Sequence, residues 1–152
     1  MKRLVTAIAA SAMLAAATLV PVTGHAASTP PRSSMSVVIV SVKPSTVTAK
    51  HANVTFHLRV KGIVLDATHM GKANVRGHGH IQLYVDGIPS DAYVRKDLTH
   101  HWLASLAATT VTINLSPPLV GGRGKHRIIV ALAQNSSVLY HVPTASTTIT
   151  AK

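Results

Sequence analysis

Apolar residues recur along this chain with a period of two, in short runs separated by turn residues. From Val54 to Val60, the apolar positions Val54, Phe56, Leu58 and Val60 alternate with Thr55, His57 and Arg59. A strand sends successive side chains to opposite faces, so this spacing predicts one buried face and one wet face. Ile81, Leu83 and Val85 alternate with His80, Gln82 and Tyr84 in the same way, and Val111, Ile113 and Leu115 give a third such run. Ser36 to Val42 is a β-branched run closed by Lys43-Pro44-Ser45. Ile63 to Leu65 reads as a short strand and Thr144 to Ala151 as a threonine-rich last strand. His126 to Ala133 is almost continuously apolar, the pattern of a central strand.

The punctuation fits the same picture. Asp86-Gly87 is a strong turn pair, Pro117-Pro118 stops a strand, and Gly121-Gly122-Arg123-Gly124 reads as a flexible loop. Residues 66–77 have little periodicity and are expected to form a long connection; residues 98–107 read as one helical turn or a loop. The pattern contains no long amphipathic helix. Seven or so short strands predict an all-β fold, an Ig-like antiparallel β-sandwich. With one Trp, three Tyr and one Phe, the core must be aliphatic.

The first 26 residues follow a different grammar. Lys2 and Arg3 precede an uncharged run from Leu4 to Val20, rich in Ala, Leu and Val; Pro21 breaks it, and Gly24, Ala26 and Ala27 are small. That is the layout of a secretory signal peptide. The expected organisation is therefore a signal peptide at 1–26, a flexible leader at 27–35 and one sandwich domain at 36–152. The protein is expected to be secreted or held in the cell envelope, outside the cytoplasm. No second apolar segment is long enough to span a membrane as a helix. The chain has no cysteine, which rules out a disulfide framework and thiolate metal sites.

Charge narrows the choice of partner. Fifteen Lys and Arg face four acids, all of them Asp, for a formal net charge of +11. Loss of Lys2 and Arg3 with the signal would remove two of these positive charges. Such a field favours anionic partners, among them cell-envelope polymers. Nucleic acid is not expected, because the basic residues are scattered and aromatics for base stacking are few. Enzyme signatures are missing too. The 121–126 segment lacks the first Gly of a phosphate loop and has His126 where Ser or Thr belongs, and no Gly-x-Ser-x-Gly elbow occurs. With no Glu, paired-carboxylate catalysis has little to draw on. A non-enzymatic binding module is the expectation; the alternative is a structural or adhesive cell-surface domain that uses its positive charge to associate with anionic envelope polymers.

The sharpest chemical motif is Gly77-His78-Gly79-His80, running into Tyr84-Val85-Asp86-Gly87. Residues two apart on a strand project from one face. Two imidazoles placed so suit a borderline ion such as Cu(II) or Zn(II), given further ligands. From Gly77 to Ala151 the chain resembles small secreted bacterial Ig-like sandwiches, a largely uncharacterised group. In these, a Gly-His-x-His segment opens a strand ending in Tyr-x-Asp-Gly. A later strand opens Gly-x-His-x-Ile-x-Val-x-Leu, matched by Gly124 to Leu132, and a His-x-Pro follows, matched by His141-Val142-Pro143. The resemblance implies an Ig-like fold and adds His126 and His141 to His78 and His80 as a metal ligand set. The acidic residue expected before His-x-Pro is absent; Leu139-Tyr140 stands there.

Overall fold

The computed structural model describes residues 34–93 and 101–152; the expected signal peptide and most of the expected leader lie outside them. Nine strands are present among the described residues: β1 (Ser36–Lys43), β2 (Thr46–Val47), β3 (Asn53–Lys61), β4 (Val64–Leu65), β5 (His78–Val85), β6 (Trp102–Leu106), β7 (Thr110–Asn114), β8 (Gly124–Ala133) and β9 (Ala145–Ala151). They form an all-β sandwich. One sheet has the order β1-β3-β7; the other runs β2-β9-β8-β5-β4, with β6 also paired to β5. Pairing is antiparallel except for two short parallel contacts, β2 with β9 and β4 with β5.

The alternation seen in the sequence becomes the core. Val54, Phe56 and Leu58 of β3 are buried against Ile81, Leu83 and Val85 of β5, Ile128, Val130 and Leu132 of β8, and Ile149 of β9. The core is aliphatic around a single Phe. β8 sits between β9 and β5, as its apolar run predicts. Met35 is buried too, so the last residue of the expected leader belongs to the folded domain.

Three features depart from the sequence expectations. The 98–107 region is not a helical turn where described: β6 pairs Trp102 with Tyr84 and Leu106 with Ile81. Its residues lack strict alternation, and the pairing with β5 supplies the order that local pattern did not. β2 has two residues and exists through its pairing with Thr150 and Ala151 of β9. Finally, the second face of β5, expected to be wet, is buried. His80, Gln82 and Tyr84 lie under a smaller cluster in which Ala92 and Leu139 cover Ile129, Ala131 and Ala133.

Gly79 shows why this part of β5 starts with glycine. A Cβ there would collide with the Ala133 carbonyl oxygen of β8. The backbones of β5 and β8 approach too closely for any side chain.

Candidate functional site

Strand ends define one pole of the sandwich. Lys43 closes β1 opposite Thr55, near the start of β3, and Asn53 pairs with Asn114 at the end of β7. Ser45 accepts a hydrogen bond from Thr150 N at 2.8 Å, and Val47 accepts one from Lys152 N at 2.9 Å. Ala151 pairs with Gly124, the first residue of β8. Six cations therefore gather at this pole: Lys43, Lys50, Arg123, Lys125, Arg127 and Lys152, all exposed. Lys125 and Arg127 are two apart on β8 and share its outer face, opposite Thr150 and Thr148 of β9.

Asp86 lies among these cations but is committed to the fold. It sits at φ 58, in the left-handed region that Asp tolerates better than most residues. Asp86 N donates to Arg127 O at 2.8 Å, and Arg127 N donates back to Asp86 Oδ1 at 2.7 Å. His126 Nδ1 donates to Asp86 Oδ2 at 2.8 Å, while its Nε2 faces Gly122 O at 3.1 Å. Both partners of His126 are acceptors, so the two bonds form together only when both ring nitrogens carry a proton. Partial burial works against the Asp86 charge, but the His126 and Arg127 hydrogen bonds prevail and lower its pKa. The node ties the Asp86 turn to the loop that carries Gly122 and Arg123.

A second carboxylate organises the opposite pole. His69 Nδ1 and His78 Nδ1 both donate to Asp66 Oδ2, at 2.7 and 2.8 Å. Thr68 Oγ1 donates to Asp66 Oδ1 at 2.6 Å, and Thr68 N does so at 3.0 Å. The Thr68 hydroxyl first, then His78, holds the Asp66 carboxyl well below the usual carboxylate range. The arrangement pins the 66–77 connection to the start of β5. Tyr140 adds a brace, donating through its hydroxyl to His78 O at 3.1 Å, and burial raises the pKa of its phenol.

The four histidines of the expected ligand set go to different partners. His78 joins Asp66. His80 is fully buried beside Gln82, whose amide lies 3.5 Å from His80 Nε2; Tyr84 donates to Gln82 Oε1 at 2.6 Å. His141 stacks on Tyr93, with ring centroids 4.9 Å apart. His126 is at the other end of β5 from His78 and His80, because β5 and β8 are antiparallel neighbours in which Val85 meets Ile128 and His80 meets Ala133. At about 3.4 Å per residue, that separation is roughly 24–31 Å along the strands. The start of β8 therefore does not lie beside the start of β5, as a four-histidine site would need. Among the described residues, no group of three or more His, Cys, Asp or Glu side chains is arranged to hold a metal ion.

Comparison with known proteins adds no constraint: no protein-family model matches the chain, and no curated protein matches it.

Of the adjacent pair His100-His101, the first lies outside the described residues. His101 has φ 58 and donates from Nδ1 to Val85 O at 2.8 Å, closing the β5–β6 end. Sequence reasoning missed Asp66 and His69, whose meeting with His78 spans a long connection. The only local cue is the Asp66-x-Thr68 spacing of an Asx turn. It also missed the pole, because the six cations are scattered in sequence and meet only through strand pairing.

Proposed function

We propose that this protein is an exported, non-enzymatic binding domain that associates with anionic polymers of the cell envelope through its basic pole. One observation carries the reading: six exposed Lys and Arg from four separate chain segments converge at one end of the sandwich. Exposed cations on strand ends attract a polyanion over several ångströms and need no deep pocket. Thr148 and Thr150 line the same face as Lys125 and Arg127 and offer hydroxyls to the bound polymer. Asp86, the acid at this pole, already accepts from His126 and Arg127, so its charge is partly offset.

Copper or zinc binding through His78, His80, His126 and His141 has weaker support, because His126 belongs to the opposite pole from His78 and His80. The test of the polymer reading is retention of the protein on an immobilised anionic wall polymer as salt rises. Screening shortens from about 10 Å at 0.1 M to about 3 Å at 1 M, so release across that range is expected. Retention that ignores salt, or no retention at low salt, contradicts the reading.

A further inference from the structure

The basic pole contains an open cleft of about 410 Å³, lined by Lys50, His51, Asn53 and Asn114 with Pro44, Ala49 and Ala52. The volume falls in the range of small-ligand sites. We infer that this cleft is a subsite for one polyhydroxylated, anionic unit of the polymer, either a sugar carboxylate or a sugar or polyol phosphate. The inference rests on the polymer reading above and gives it a recognition element.

The cleft's walls are fixed by backbone bonds. Thr48 and His51 exchange N–H···O bonds at 3.1 and 3.2 Å, and the Thr48 hydroxyl also accepts from His51 N at 3.1 Å. This closed turn presents Lys50 and His51. Opposite it, Asn53 and Asn114 are cross-strand partners, and Leu115 N donates to Ala52 O at 2.8 Å. Asn114 Oδ1 accepts from Ser116 N at 3.0 Å, which fixes the amide and leaves its Nδ2 as a donor. A preformed site loses less entropy on binding than a floppy one.

The donor set defines the ligand. Lys50 supplies a full positive charge within the cleft, and carboxylates and phosphates are its natural partners. Side-chain amides both donate and accept, which matches the hydroxyl groups of a sugar or polyol. Pro44, Ala49 and Ala52 offer an apolar surface to the ligand's C–H groups. An uncharged sugar of the same size would lack the charge attraction to Lys50.

The test uses the secreted protein and three soluble probes in calorimetric titrations: glucuronate, glycerol 1-phosphate and glucose. Saturable binding of glucuronate or glycerol 1-phosphate, with glucose at least about tenfold weaker, is the expected result. Preference between the two anions identifies the source of the charge. Asn114→Asp keeps the acceptor for Ser116 N but replaces the donor with a negative charge, and should weaken anion binding about tenfold or more with an unchanged melting point. Asn53→Ala should weaken it from the neighbouring strand of the same wall. Binding of neither anion, equal binding of glucose, or undiminished binding by well-folded Asn114→Asp and Asn53→Ala would overturn the subsite. Salt-sensitive polymer binding surviving such a result would leave the basic pole standing. Anion binding in the cleft with no polymer retention would instead sink the pole.

Discussion

His126 and Asp86 meet through a 2.8 Å hydrogen bond, and the same carboxylate accepts from Arg127 N at 2.7 Å. One side chain thus fixes the Asp86 turn, the start of β8 and, through His126 and Gly122 O, the glycine-rich loop. The acid at the basic pole is a structural fastener, which leaves the surrounding field positive.

Asp86→Ala should therefore lower stability by about 1–2 kcal/mol, the cost of losing charge-assisted hydrogen bonds on a partly exposed group. Asp86→Asn should cost less, since Asn tolerates the left-handed backbone and keeps an acceptor for Arg127 N. Thermal melts of the two variants check the order. Equal losses in both would mean that the charge, not the turn, is what matters.

The Asp66 node predicts a pH signature. A carboxyl whose folded pKa is depressed contributes stability above its unfolded value, near 3.9, and loses it as pH falls through the folded value. Asp66→Asn should thus be less stable than the parent at pH 7, and the gap should narrow as the pH drops below about 4. Chemical denaturation at several pH values measures this. A gap that widens on acidification would contradict the assigned role of the Thr68, His69 and His78 hydrogen bonds.

Gly79→Ala tests the close approach of β5 and β8. The added methyl group meets the Ala133 carbonyl oxygen, so the strands must separate or the register must shift. Loss of cooperative unfolding, or a marked fall in melting temperature, is expected. By contrast Gly87, whose Cβ would meet nothing, should accept Ala with little change. A Gly79→Ala variant that melts like the parent would show that the two backbones are further apart.

The sandwich was legible in the chain because Val54, Phe56 and Leu58, and Ile81, Leu83 and Val85, alternate where one face is core. Alternation did not reveal that His80, Gln82 and Tyr84 are also buried, since a polar strand face looks wet until a loop covers it; here residues 86–93 and 134–141 do so. β6 escaped notice because Trp102, Leu103 and Leu106 fit neither period cleanly, and pairing with β5 decides their state. The His-x-His motif was visible, but its partners were not. Asp66 reaches His78 across twelve residues, and the position of His126 depends on the antiparallel register of β5 and β8. Lys43, Lys50 and Lys152 likewise look unrelated until β2 lies along β9.

The most direct test of the account compares two variants of equal charge change. One replaces Lys43, Lys50, Lys125 and Lys152 at the basic pole with Gln; the other replaces Arg59, Lys61, Lys72 and Arg76, the described cations away from that pole, with Gln. Affinity for an anionic envelope polymer is measured for both at about 0.1 M salt, where fields reach about 10 Å. The account predicts that the first variant loses most of its binding and the second keeps most of it. Equal losses in both would contradict it, because binding would then follow net charge alone and not the pole.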